Sequence, residues 1–210
     1  MTSKTVKGTA KRAEARKRKF YEMGHNYRRP GAPGFYLDER SVIPVGLERL
    51  ADLIEPPCFV FDKSVGSRPG DLEQYYEFWL ISDRTKVVFE SIDPKGFSFV
   101  RCPVRVPRGV WDGPGYWLCE VLRVLDALDE SRSRLKIGIR DDPRYRDFGR
   151  KFYEFFGGAK LVFKEELVDD VHAFRMAHNE SCIICDQEMK DACKLAGLKG
   201  ILFDDVSNLP

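Results

Sequence analysis

Cys182 and Cys185, with two residues between them and a helix-like stretch directly after, are the pair whose type and spacing best suit chemistry. A thiol at a helix N-terminus has a lowered pKa, which is how dithiol redox sites work. Those sites place their second cysteine inside the helix. Here the spacer is Ile183-Ile184, a strand signature, and a strand sends residues i and i+3 to opposite faces. The pair therefore reads as buried structure. With His172 and His178 the two cysteines also form H-x5-H-x3-C-x2-C, all zinc-compatible ligand types. The order is unusual for a zinc site, and a strand over 173–176 would hold the histidines apart, so neither metal nor cofactor is expected.

Other chemistries have less support. Nucleophilic hydrolysis needs a Ser or Cys with a His and an acid; the histidines are His25, His172 and His178, and no G-x-S-x-G elbow occurs. Gly109 to Gly115 is glycine-rich but lacks the G-K-[ST] ending and helix of a phosphate loop. Adjacent acids (Asp141-Asp142, Glu165-Glu166, Asp169-Asp170, Asp204-Asp205) are numerous, as in solvated turns, and none is singled out by its surroundings. The sequence reads as a non-enzyme.

The elements that must carry these residues include a phrase written twice, WLISDRTKVVFESIDPKGFSFV at 79–100 and CIICDQEMKDACKLAGLKGILFDD at 182–205. Each copy has an apolar run, an Asp placed to cap a helix (Asp83, Asp186), a Lys-Gly turn (Lys95-Gly96, Lys199-Gly200) and an alternating strand. The first copy has no cysteine at 79–82, so the unit works without thiols. In the second, Met189, Ala192, Cys193 and Ala196 form the buried stripe and Gly197 suits a left-handed C′ position.

Elsewhere, strands are expected at 19–23, 58–61, 97–106, 116–125, 159–163 and 173–176, with Pro103 confining its strand to an edge or bulge. A helix is the alternative for 116–125. A helix is expected over 45–55, with Leu47, Leu50, Ala51 and Ile54 on one face and Pro56-Pro57 as its stop. Residues 126–134 read as a polar turn or short helix, and 140–147 as an exposed charged loop. The sum is an α+β fold with mixed sheet and a few short helices, arranged as two related strand–helix–strand lobes. RGVWDGPG at 108–115 is the clearest break, giving lobes at 19–110 and 116–210 behind an arm at 1–18.

The net charge of +2 hides an asymmetry. Residues 1–30 hold ten Lys/Arg against Glu14 and Glu22, while the rest holds 25 basic and 31 acidic residues. The arm reads as solvated and disordered; its competing use is nucleic-acid contact through residues 1–30 by counterion release. No apolar run of ~18 residues marks a membrane span, and no secretory signal is visible, so a reduced cytoplasmic protein is expected.

Taken in order, VLDALDE at 124–130, KLVFKEEL at 160–167, HAFR at 172–175, Ile183-Ile184, the 186–196 helix and GLKGILF at 197–203 resemble the Imm11 (DUF1629) group of bacterial immunity proteins. The resemblance is good over 122–206 and traceable back to Lys19; the arm before Lys19 lies outside the expected pattern, and RDDPRYRDFGR at 140–150 is longer than usual. It implies a non-catalytic cytoplasmic protein that binds and neutralises a cognate toxin of a polymorphic or type VI secretion system, with no catalytic residues to carry over. If that toxin is a nuclease with a basic cleft, an acidic face including Asp141, Asp142, Asp169 and Asp170 is the expected contact.

Overall fold

The computed structural model describes residues 18–28, 31–144, 147–155 and 157–209. In chain order the strands begin with β1 (Phe20–His25), β2 (Phe35–Leu37), β3 (Phe59–Phe61), β4 (Leu72–Tyr75) and β5 (Phe78–Ser82). Helix α1 (Asp83–Ile92) leads to β6 (Phe97–Cys102), β7 (Val104–Arg105), β8 (Tyr116–Val121) and β9 (Val124–Leu125). A hairpin of β10 (Lys136–Ile139) and β11 (Lys151–Glu154) precedes the single turn α2 (Glu165–Val168). The chain closes with β12 (Ala173–Met176), β13 (Asn179–Asp186), α3 (Gln187–Leu195) and β14 (Ile201–Asp205).

Both copies of the repeated phrase fold as a split strand–helix–strand unit. In one sheet, ordered β4-β5-β8-β6, the strands β5 and β6 each pair antiparallel with β8 between them. In the other, ordered β14-β1-β13-β12-β9, the strands β13 and β14 each pair antiparallel with β1. The registers match residue for residue. Ser82 and Asp186, the two helix caps, sit opposite Tyr116 and Phe20. Phe97 and Ile201, the first residues after the Lys-Gly turns, sit opposite Val121 and His25. Both routes make β8 the counterpart of β1, with Trp117 matching Tyr21 and Glu120 matching Gly24.

Each sheet buries an inner face on a shared core and an outer face on a core of its own. The shared core joins Trp79, Ile81, Phe89 and Phe97 of one unit to Tyr21, Met23, Cys185 and Met189 of the other, with α1 packed on α3. The outer face of the first sheet is covered by the 31–70 region and the small sheet β2-β3-β7. That of the second is covered by residues 127–168 and the chain's C-terminal end. β5 is buried along its whole length, which is why it reads as an unbroken apolar run.

Several expectations are corrected. The first cap is Ser82, whose Oγ accepts from Thr85 N; Asp83 instead accepts from Gly115 N at 2.8 Å and Trp117 Nε1 at 2.6 Å. The 45–55 helix is only a 3-10 turn, Leu50–Asp52. Gly46 at φ +79° and the extended Arg49 and Leu53 leave too little chain before the prolines, and Ile54 ends up 91% exposed. Residues 159–163 make only isolated bridges, Lys160 with Arg134 and Phe163 with Leu128. Pro103 does split its strand, sending β6 to a sheet edge and β7 to the small sheet. Residues 116–125 are two strands, β8 and β9, joined through Leu122 and Arg123, rather than a helix.

The units interleave across the 108–115 break. β8 belongs to the sheet of the first unit, and β1 to that of the second. The expected arm over 1–18 lies outside the described residues except for Arg18, which is tied into the body. Among the described residues, no helix is long and apolar enough to cross a membrane.

Candidate functional site

The thiols come first. Cys182 packs into the outer core of the second sheet and Cys185 into the shared core, on opposite faces of β13. Burial pushes both well above an ordinary thiol, and Cys102 and Cys193 up to about 12. Such thiols stay protonated near neutral pH, and the thiolate is the reactive form.

His172 and His178 also part company. His172, directly before β12, brings Nδ1 to 2.9 Å from Asp186 Oδ2. Arg18 Nη2 donates to the same oxygen at 2.8 Å, and the Arg18 guanidinium reaches the carbonyls of Asp169 and Val171. Glu188 completes a cluster of metal-type ligands with His172 and Asp186. Arg18 already balances that carboxylate, so a metal ion would have to displace a guanidinium with several hydrogen bonds. The cluster is a strut that fixes the start of β12 to the cap of α3. The four-residue set His172, His178, Cys182 and Cys185 does not converge on one point.

His178 lies in the β12–β13 turn at φ +71°, and its carbonyl accepts from Tyr153 N at 2.9 Å. Between this turn and the β10–β11 hairpin opens a cavity of about 570 Å³, lined by Arg140, Arg150, Lys151, Tyr153, His178 and Glu180 among others. Its charges are largely matched: Arg140 with Asp147 at 3.0 Å, Lys151 with Glu130 at 2.5 Å, Arg175 with Glu180 at 2.9 Å. Hydrogen bonds from Lys151 and Tyr153 hold the Glu130 carboxyl below its usual range, while burial and Glu130 push Tyr153 up to about 12. Ser181 Oγ donates to Asn179 at 2.8 Å.

The four aspartates fall on two elements. Asp141 and Asp142 lie in the β10–β11 connection, where Asp142 is pinned by Arg144 at 2.6 Å. Asp169, at φ +49°, and Asp170 follow α2, and both side chains are exposed.

The helical spacing of 45–55 conceals an irregular region with features of a contact surface. Between the paired strands β2 and β3 the chain makes an excursion over residues 38–58. Its base is tied by Asp38 N to Cys58 O and Cys58 N to Ser41 Oγ, each 2.9 Å. Its middle is clamped by Glu120, a β8 side chain only 3% exposed, which accepts from Leu50 N at 2.8 Å and pairs with Arg49 at 2.7 Å. The limbs leave Val42, Val45 and Ile54 at 74%, 106% and 91% exposure. Between them is a slot of about 210 Å³ walled by Val42, Pro44, Leu53, Ile54 and Pro56. The available signal was Gly46 within a stretch closed by Pro44 and by Pro56-Pro57, which favours an irregular loop over two or more helical turns.

No curated protein shows significant similarity to the chain. The profile of the Immunity protein family (Imm11) matches residues 4–208. The match begins well before Lys19, so the basic arm falls within the family's pattern and not ahead of it. The order of motifs in the second unit, the α+β architecture and a match over nearly the whole length agree: the chain belongs to the Immunity protein family (Imm11).

Proposed function

We propose that the protein confers immunity by binding a cognate toxin in the cytoplasm and obstructing it, without chemistry of its own. The family match over residues 4–208 carries this reading. The buried thiols are held protonated, which argues against the Cys182–Cys185 pair as a reactive dithiol. The toxin is read as an effector of a polymorphic or type VI system, and a basic nuclease would suit the acidic balance of residues 31–210. Two surfaces compete for the contact: the aspartates at 141, 142, 169 and 170, and the 38–58 excursion.

The test is protection. Cells that express the toxin encoded beside this chain should grow when the chain is co-produced and arrest when it is not. Growth arrest in both cases would sink the reading. Removal of residues 1–17, keeping Arg18, separates the arm from the body: full protection would assign binding to the body.

A further inference from the structure

We propose that the 38–58 excursion is the element that contacts the toxin, and that its slot receives an apolar side chain from a basic surface of that protein. The inference rests on the immunity reading and deepens it. Three independent observations carry it. The first is length. β2 and β3 are paired neighbours, and hairpin loops usually run ~2–5 residues, whereas long structureless excursions in compact domains tend to be functional. The second is exposure. Val42 and Ile54 stand out in solvent on the apolar walls of a slot that Arg40, Ser41 and Glu55 also line, and Val45 stands out beside it, a costly arrangement for a face without a partner.

The third is the clamp. Glu120 places a carboxylate in a buried strand position, where its counterpart in the other unit is Gly24, and spends it on Arg49 and Leu50 of the excursion. A buried charge is expensive to maintain, and here its partners fix the loop's path. The scaffold thus holds an exposed apolar loop in one shape, which lowers the ordering cost of binding.

The charge around the slot selects the partner. Arg49 is taken up by Glu120, and Asp38 by Arg105 at 3.3 Å. Glu39, Asp52 and Glu55 form no ion pair among the described residues, and Arg40 is the one cation of the excursion left beside them. Apolar walls with a surplus of acids fit a protein surface that offers an apolar side chain among Lys and Arg.

The test co-produces the chain with the tagged protein encoded beside it and measures capture and association rate. Val45→Asp and Ile54→Asp together should lower affinity by about tenfold or more, the loss expected for a buried apolar anchor. The midpoint of unfolding should stay unchanged, because both side chains are exposed. Reversing Glu39, Asp52 and Glu55 to Lys should slow association, most strongly at low salt. Equal capture by the wild type and the double variant would overturn the loop's role and leave the immunity reading intact. So would a loss confined to charge reversal at Asp141, Asp142, Asp169 and Asp170. No capture of the wild type would overturn both.

Discussion

The two split strand–helix–strand units share an inside and differ outside. Inside, equivalent positions do equivalent work. Ser82 and Asp186 cap the helices, and the residue before each hairpin answers the cap: Asp71 accepts from Ser82 Oγ at 2.7 Å, and His172 meets Asp186 at 2.9 Å. Each unit also holds the other. Lys199 N donates to Asp71 at 2.7 Å, and His172 N donates to Asp93 at 3.2 Å. Outside, the first unit carries Glu120 and the 38–58 excursion, while the second carries Gly24 and the β10–β11 layer. The internal pairing builds a rigid scaffold twice, and the outer faces are free to diverge toward whatever must be bound.

The largest expected effect tests whether the shared core is one cooperative body. Phe89 and Cys193 are equivalent helix positions, both buried in that core, with Phe89 stacked on Phe97 at 4.6 Å between ring centroids. Phe89→Ala should cost ~3–5 kcal/mol, and Cys193→Ala ~1 kcal/mol. All three tryptophans, Trp79, Trp111 and Trp117, lie in or against the first unit. Fluorescence therefore reports the first unit and the shared core but not the outer core of the second unit, whereas far-UV circular dichroism reports both units. If Cys193→Ala shifts the fluorescence transition in urea as far as the dichroism transition, the units unfold together. Separate transitions would break the comparison.

The caps come next. Asp186 accepts from Met189 N at 3.0 Å, pairs with Arg18 and is hydrogen-bonded to His172, so Asp186→Ala should cost ~2–3 kcal/mol. Ser82→Ala removes a longer bond, 3.4 Å from Thr85 N, and one partner of Asp71, for a loss of ~1 kcal/mol. Asp186→Ser would keep the cap and lose the Arg18 ion pair and the His172 contact, so its unfolding midpoint should fall between those of Asp186→Ala and the wild type. An Asp186→Ser variant as unstable as Asp186→Ala would assign the whole effect to Arg18 and His172.

The repeated phrase was legible because it is local: apolar run, cap, helix, Lys-Gly turn. The strand that completes each unit was not. β1 and β8 reach their sheets from opposite sides of their units in sequence, and nothing in a short window records which ladder a strand joins. Asp83 passed for the cap because Asp and Ser both serve, and only the backbone shows that the helix starts one residue earlier than expected. The 45–55 stretch has helical spacing, yet Gly46 and the Glu120 clamp override it. Glu120 itself was invisible as a clamp, since its partners Arg49 and Leu50 lie far away in the chain.

A smaller effect concerns the central strands. Glu22 occupies the position of Leu118, and burial, with Asp204 nearby, raises its pKa. A raised folded pKa means that its contribution is fully present below the unfolded value of 4.5 and is lost as pH rises through the folded one. Above the folded pKa the ionised carboxylate is therefore a burden. Glu22→Leu, which copies the first unit, should raise the urea midpoint at pH 7, and the gain should shrink as pH falls through the raised folded pKa and be smallest below about 4.5. A gain that is the same at pH 7 and pH 4 would show that packing, not charge, distinguishes the two strands.

The smallest effect lies on a feature that both units repeat. Lys86 sits 4.8 Å above the Trp117 ring, and Lys190 sits 3.3 Å above the Tyr21 ring, at equivalent helix and strand positions. Each ammonium rests on an aromatic face at the rim of the shared core, a contact worth ~0.5–1 kcal/mol where solvent still reaches it. Lys86 adds an i,i+4 pair with Glu90 at 2.5 Å, worth a further ~0.3–0.5 kcal/mol. Lys86→Gln should therefore cost slightly more than Lys190→Gln. Salt should narrow that gap, because it screens the Glu90 pair more than the ring contacts. Burial already lowers the pKa of Lys190, so part of its charge interaction is offset by desolvation. If Lys190→Gln proves the costlier change, the Tyr21 contact is stronger than its partly exposed setting implies, and the second unit depends on its aromatic rim more than the first.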